Sequence, residues 1–194
     1  MLVLKINQKE TQKIILEAIK REKVIVCPTD TVYGLLADVY NKKAVSKIFK
    51  IKERKRKNPL PVFVNSLGMA KKLAKINKKQ EKLLKSLWPG KVTVVLERKA
   101  SRKKLYGLDK RTIALRIPRY GLINNLNKRL NQPLVETSVN ISDRPPMIKI
   151  EKIIKYFQKR KPQPDLIIDA GNLKKSKPSK VIDLTGITPK VLRK

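Results

Sequence analysis

The residues most able to do chemistry fall in short polar segments, each beside an apolar run. Pro28-Thr29-Asp30-Thr31-Val32-Tyr33-Gly34-Leu35 leaves the β-branched run at residues 24–27 and packs two threonines, an aspartate and a tyrosine together. Hydroxyls on such a loop can fix a small polar ligand, although Thr and Asp after a strand are also ordinary turn formers. Lys52-Glu53-Arg54, followed by Asn58-Pro59-Leu60, puts two cations at the end of a helical stretch. They could clamp a polyphosphate, Arg54 as a fork and Lys52 as a point charge, or simply complement the helix dipole. In Thr112-Ile113-Ala114-Leu115-Arg116-Ile117-Pro118, Arg116 alternates with Leu115 and Ile117 and so points away from their face. A solvent-facing arginine and one that binds a carboxylate in a cleft both fit that alternation. Ser138-Val139-Asn140-Ile141-Ser142-Asp143-Arg144-Pro145-Pro146 ends a strand in a polar loop with two hydroxyls and an amide, a pattern that Asx and Ser turns also give. The tail, Pro178-Ser179-Lys180-Val181 and then Leu192-Arg193, carries no signal by itself.

Composition narrows what these groups can do. The chain has no histidine, which removes a Ser-His-Asp triad, a Cys-His dyad and any His-ligated metal. Cys27 is the only cysteine, so there is no disulfide framework and no cysteine cage for zinc, and such usage fits a reducing cytoplasm. Apolar runs last only a few residues, too short for a membrane-spanning helix, and Met1-Leu2-Val3-Leu4-Lys5 lacks the segments of a signal peptide. Lys and Arg number 48 against 15 Asp and Glu, a formal charge of +33. That surplus favours an anionic partner such as nucleic acid, nucleotide or phosphate; it equally fits lysines spread over the solvated faces of helices. With 41% hydrophobic residues over 194 positions, one domain spanning 1–194 with a real core is expected.

Strands and helices must alternate to position the polar segments. Residues 2–6, 24–27, 60–64, 92–97, 112–117, 133–138, 166–169, 181–184 and 190–192 read as strands. One helix is expected from Asn7, with Glu10 closing a capping box and Ile14, Ile15, Ala18 and Ile19 on its apolar face. Another starts at Asn41, with Val45, Ile48 and Phe49 inward. Further helices fit residues 66–74, 77–87 (stopped by Pro89-Gly90), 122–130 and 151–159. Residues 98–110 read as a basic loop, and Pro162 and Pro164 as a linker. The interleaving argues for an α/β domain whose ligand sites lie in loops at strand ends.

Taken together, the five segments resemble the YrdC/TsaC family of threonylcarbamoyl-AMP synthases. That family shows P-T-[DE]-T-V-Y-G-L, K-x-R with a following N-P-L, W-P-G-x-x-T, [AT]-x-R-x-P, S-A-N-x-S-G, P-S-[TE]-x-x-D and a final L-R or F-R. The counterparts here are Pro28 to Leu35, Lys52 and Arg54 with Asn58-Pro59-Leu60, and Trp88-Pro89-Gly90 with Thr93. Then come Ala114, Arg116 and Pro118, Ser138 to Ser142, Pro178 to Asp183, and Leu192-Arg193. The match runs over nearly the whole chain, and its first two motifs are the most specific. With no long C-terminal extension, the chain resembles the short, single-domain members. It departs from the pattern at Val139 (usually Ala), Asp143 (usually Gly) and Lys91 (often Pro), and Lys194 stands where a residue before a glycine would be. Phe63 stands where many relatives carry His beside the amino-acid pocket.

The resemblance implies an α/β fold with a twisted, mixed parallel and antiparallel sheet, flanking helices and a basic concave cavity. It implies condensation of L-threonine, bicarbonate or CO2, and ATP to threonylcarbamoyl-AMP and pyrophosphate, for N6-threonylcarbamoyl modification of adenosine 37 in tRNA. A carbamate oxygen would attack the α-phosphorus of ATP, a transfer that depends on positioning and charge neutralisation more than on a protein nucleophile. Carried over residue by residue, Thr31, Arg116 and Ser179 would bind L-threonine, Arg116 taking the carboxylate and Phe63 bordering the methyl group. Lys52, Arg54, Asn58, Thr112, Ser138, Asn140 and Arg193 would bind ATP and pyrophosphate, with Lys52 and Arg54 acting in catalysis. Mg2+ would be held mainly by the triphosphate, with no protein cage. tRNA and downstream threonylcarbamoyl-transferase proteins would be partners, and no membrane is involved. Two alternatives stay open. A double-stranded RNA- or tRNA-binding module of the same fold suits the surplus charge, though with only 5% aromatic residues for base stacking. A paralogue acting on another carbamoyl-adenylate substrate suits Phe63, Val139 and Asp143.

Overall fold

A computed structural model describes residues 1–6, 10–142 and 144–194 of the chain. Its strands are β1 (Leu2–Lys5), β2 (Ile25–Cys27), β3 (Gly34–Asp38), β4 (Val62–Phe63), β5 (Val92–Glu97), β6 (Thr112–Arg116), β7 (Leu134–Ser138), β8 (Leu166–Asp169), β9 (Lys180–Asp183) and β10 (Lys190–Arg193). They form one sheet in the order β1-β8-β2-β3-β7-β4-β6-β5-β9-β10. The pairs β1–β8, β2–β8, β4–β6 and β5–β9 are parallel, and the others antiparallel. The helices are α1 (Thr11–Lys20), α2 (Lys42–Ile51), α3 (Leu67–Leu73), α4 (Lys78–Leu87), α5 (Gly121–Leu130) and α6 (Ile150–Gln158). The mixed α/β sheet is the expected one. Among the described residues, no helix is long and apolar enough to cross a membrane.

Local chemistry sets the helix starts. The Asn41 side chain accepts from the Ala44 N–H at 2.8 Å, and Ser66 caps α3 in the same way. Asn77 and Gln80 form a reciprocal capping box on α4, whose last residue precedes Trp88-Pro89-Gly90. Each such cap is worth about 1 kcal/mol. Asn7, expected to cap the first helix, lies outside the described residues; α1 begins at Thr11, with Glu10 in the cap position and no side-chain cap bond.

The segment after β2 corrects one expectation. Gly34 and Leu35 do not belong to a loop; they open β3, a central strand paired with β2 and β7. Leu35, Leu36 and Ala37 are all buried, so β3 is covered on both faces and has no polar alternation to reveal it.

Successive strand residues face opposite sides of the sheet. Helices α2, α3, α4 and α6 send Ile48, Leu73, Leu84 and Phe157 against Val26, Leu35, Val62, Val94 and Leu115 on one face. Helices α1 and α5 send Ile15, Ile19, Ile123 and Leu126 against Ile25, Leu36, Phe63, Leu134 and Ile168 on the other. Each such side chain contributes roughly 1.5–3 kcal/mol on burial. The second face is not apolar throughout. Leu134, Phe63 and Arg116 are register partners across β7, β4 and β6. One step beyond the Val94–Leu115 pair sets Thr93 beside Arg116, and Thr93, Val181 and Arg193 then follow across β5, β9 and β10. The row turns from hydrocarbon beneath α5 to polar and cationic groups further along the sheet.

Candidate active site

The Lys52-Glu53-Arg54 spacing is the geometry of a helix ending. Lys52 is the C-cap of α2, and Glu53 adopts a left-handed φ of 50°. The Arg54 N–H donates to the Phe49 carbonyl at 3.0 Å and the Glu53 N–H to Lys50 at 3.2 Å, a Schellman closure. Lys52 is buried, and its Nζ donates to the Ser138 carbonyl at 2.8 Å and to Asn140 Oδ1 at 2.5 Å. Burying an ammonium is costly without such acceptors. The Arg54 fork donates from Nε to the Asn58 carbonyl at 3.0 Å and from Nη2 to the Pro59 carbonyl at 2.9 Å. Asn58 thus supplies a backbone anchor for Arg54, and its exposed side chain does not line the cavity described below.

Arg116 is only 2% exposed, which excludes the solvent-facing reading. Its Nε donates to the Gly90 carbonyl at 2.9 Å, and its Nη2 pairs with Asp30 Oδ1 at 2.6 Å. The Asp30 Oδ2 accepts from the Arg119 N–H at 3.0 Å. Trp88-Pro89-Gly90 therefore holds an arginine in place. A Cβ on Gly90 would lie 2.4 Å from the Leu87 carbonyl oxygen, so only glycine fits this close approach.

The threonine-rich loop divides between support and site. Thr29 Oγ1 donates to the Val32 carbonyl at 2.7 Å and sits 3.0 Å from Thr31 Oγ1, closing the turn. The Tyr33 hydroxyl is a strut, donating to Gly171 O at 2.7 Å and accepting from Ala170 N–H at 3.0 Å. On the loop after β7, Ser138 Oγ donates to Asn140 Oδ1 at 2.6 Å, while Ser142 Oγ is buried with no hydrogen-bond partner among the described residues. Arg193 donates from Nε and Nη2 to the Ser179 carbonyl at 2.9 and 2.7 Å, and Ser179 Oγ meets Thr93 Oγ1 at 2.9 Å. Burial pulls the Arg193 guanidinium below its ordinary value, with the nearby Glu136 carboxylate opposing that shift.

These segments surround a cavity of about 500 Å³ over the open part of the sheet. Thr31, Lys52, Arg54, Arg116, Ser138, Asn140, Ser179 and Arg193 all line it. Asn58 and Thr112 do not. The Thr112 hydroxyl donates to Asp109 Oδ1 at 3.1 Å at the start of β6, four residues before Arg116, so it belongs to the turn that opens the strand. Ser142, the second hydroxyl of the polar loop read from the sequence, also lines the cavity, as do Glu136 and Arg144, to which sequence reading gave no role. Glu136 is the one carboxylate among the described lining residues, and nothing in the Leu134–Ser138 strand sequence singles it out. Burial pushes its carboxyl above the usual range, with the charges of Arg116 and Lys52 opposing. No group of three or more His, Cys, Asp or Glu side chains suited to a metal gathers among the described residues.

The departures from the family pattern also find places. Phe63 is fully buried with its ring centroid 5.6 Å from Arg116 Cζ. It packs beside the arginine in the sheet and is not among the residues lining the cavity. Val139 is fully buried in the apolar core, its N–H donating to the Tyr33 carbonyl. Asp143 lies outside the described residues.

A mixed α/β sheet thus carries an open cavity lined by the buried cations Lys52 and Arg116. Residues 17–194 match the family described as telomere recombination, which groups Sua5, YciO and YrdC, and the chain belongs to that family. A Methanocaldococcus jannaschii relative is 33% identical over 186 residues, 94% of this chain and 86% of its own length. The threonylcarbamoyl-AMP synthase of Pyrococcus abyssi is 34% identical over 178 residues, 90% of this chain and 51% of that protein. The crystal structure of P. abyssi Sua5 complexed with L-threonine superposes with a TM-score of 0.84 at 30% identity, covering 99% of this chain and 56% of that one. The chain thus spans little more than half of the P. abyssi protein.

Proposed function

We propose that this chain is an L-threonylcarbamoyladenylate synthase, a nucleotidyltransferase that joins L-threonine, bicarbonate or CO2, and ATP. The products are threonylcarbamoyl-AMP and pyrophosphate, the former serving N6-threonylcarbamoyl modification of adenosine 37 in tRNA through downstream transferase proteins. The observation that carries the reading is the convergence of Lys52 and Arg116, both almost sealed from water, with Thr31, Ser138, Asn140, Ser179 and Arg193 around one cavity. Further support comes from the P. abyssi relative, which is named for this synthase and has been crystallised with L-threonine.

In this reading a threonine carbamate oxygen attacks the α-phosphorus of ATP and pyrophosphate leaves. The carboxylate, carbamate and triphosphate repel one another, and preorganised cations offset that repulsion where charge develops. Arg116 directs the N–H groups it does not give to Gly90 and Asp30 toward the threonine carboxylate, with Thr31 and Ser179 beside it. Lys52, Arg54 and Arg193 act on the phosphates, while Ser138 and Asn140 orient Lys52 and contact the nucleotide. Mg2+ enters on the triphosphate, since the lining residues offer cations, hydroxyls and a lone carboxylate.

The test is to incubate the purified chain with ATP, Mg2+, bicarbonate and each amino acid in turn, measuring pyrophosphate. Release dependent on threonine and bicarbonate is expected. Release with a different amino acid would make the chain a paralogue of other specificity. RNA binding without any amino-acid-dependent release would leave a binding module of this fold.

A further inference from the structure

We propose that Glu136 is the proton acceptor that readies the amino group of the amino acid held by Arg116. The inference rests on the synthase reading above. Threonine arrives as an ammonium, whose nitrogen has no free electron pair, so a proton must leave before carbon can be attacked. A base is therefore needed in the same cavity as the carboxylate anchor.

Glu136 meets the geometric demands. It sits on β7 with its side chain on the same face as Ser138, and both residues line the cavity with Arg116. Its cross-strand neighbour Leu36 belongs to the apolar cluster beneath α1 and α5, so the carboxylate stands where hydrocarbon gives way to the cavity. The neighbouring strand leaves room for it: a Cβ on Gly34 would lie 3.0 Å from Glu136 Oε1. Asp30 is less suited, because one oxygen is paired with Arg116 and the other accepts from the Arg119 N–H. The charged groups acting on Glu136 are Arg116 from β6, Lys52 from the end of α2, Arg193 from β10 and Asp30 from the loop after β2. Burial outweighs the cations and raises its proton affinity, as a base for an ammonium requires.

The step balances as follows. The ammonium gives one proton to the Glu136 carboxylate, leaving a neutral amine and a carboxylic acid. The nitrogen electron pair forms the N–C bond to CO2, and one C–O π pair moves onto oxygen. The adduct nitrogen loses its second proton to water, giving the carbamate and hydronium; Glu136 then returns its own proton to solvent.

The test compares wild type with Glu136→Gln for pyrophosphate release against threonine concentration and pH. A loss of about 100-fold or more in turnover at neutral pH is expected. The loss should shrink as pH rises and free amine becomes abundant, while ATP affinity stays unchanged. If Gln does not fold, as judged by circular dichroism, Glu136→Asp takes its place; a lower turnover and a shifted acid limb are expected. Equal turnover and an unmoved acid limb in the folded variant would overturn the inference. Absence of threonine-dependent release from wild type would instead overturn the synthase reading.

Discussion

Asp30 and Arg116 form an ion pair of 2.6 Å with side chains only 7% and 2% exposed, and Asp30 thereby holds one arm of the arginine proposed to bind a substrate carboxylate. Removing one partner of a buried pair leaves an uncompensated charge. Asp30→Ala is expected to cost about 3–5 kcal/mol of stability. An incoming carboxylate would then replace Asp30, so threonine should raise the melting temperature of Asp30→Ala more than that of wild type. Equal shifts in the two proteins would show that Asp30 and the ligand do not share Arg116.

Arg116→Lys keeps the charge and loses the fork. A lysine cannot meet the Gly90 carbonyl, Asp30 and a ligand in one planar arrangement. The threonine KM is expected to rise by the equivalent of roughly 1.5–3 kcal/mol, with ATP affinity nearly intact. Steady-state titration of each substrate checks this, and wild-type threonine dependence would remove Arg116 from the ligand.

Gly90→Ala acts on the same arginine from outside the cavity. The added Cβ meets the Leu87 carbonyl oxygen, so the bend must shift and carry the Gly90 carbonyl away from Arg116 Nε. A stability loss of about 1–3 kcal/mol is expected, with a raised threonine requirement. Urea unfolding and threonine titration together distinguish this from a loss of stability alone.

Much of this arrangement was legible in the sequence where one local rule decides the outcome. Asn41 before a periodic apolar run gave a cap, and Lys52 and Arg54 stand two apart because a Schellman ending turns there. Longer-range facts were not legible. Alternation left Arg116 equally able to face water or a cleft, and only the arrival of β4, β5 and the Gly90 bend buries it. The resemblance put Phe63 beside the amino-acid pocket but could not give its neighbours, which register sets as Leu134 and Arg116. Glu136 does not stand out, since nothing local tells a strand covered on both sides from one half exposed.

Arg54→Ala tests the phosphate side. The side chain is partly exposed, and among its partners are the carbonyls of Asn58 and Pro59 in its own loop; the fold should survive its loss. Loss of a charge-assisted contact costs roughly 1.5–3 kcal/mol per bond, and most adenylate formation should go with it. Unchanged turnover at saturating ATP together with unchanged ATP affinity would reject the assignment.

The charge of +33 gives a testable expectation for tRNA. Counterion release should govern any tRNA binding, so affinity is expected to fall steeply as salt rises and to discriminate poorly between sequences. Filter binding across a salt series measures both. An affinity flat in salt, or strong preference for one sequence, would contradict the expectation.

Glu136 carries a stability signature separate from its proposed proton transfer. Its carboxyl is raised in the folded state, first by burial, with Arg116 and Lys52 opposing and Asp30 reinforcing. For a raised acid, the folded protein holds the proton more tightly than the unfolded chain. The side chain therefore favours folding most fully below the ordinary carboxylate range, and that contribution is lost as pH climbs through the raised value. Glutamine resembles the protonated form and does not titrate. Glu136→Gln should thus be more stable than wild type near neutrality, by roughly 1–3 kcal/mol, the scale of a poorly solvated buried polar group. The difference should close as pH falls below the ordinary carboxylate range, where both proteins are neutral at this position. Urea unfolding of both proteins across that pH span gives the measurement. A constant offset would show that the variant acts through packing, and a wild type more stable near neutrality would show that the neighbouring cations outweigh burial.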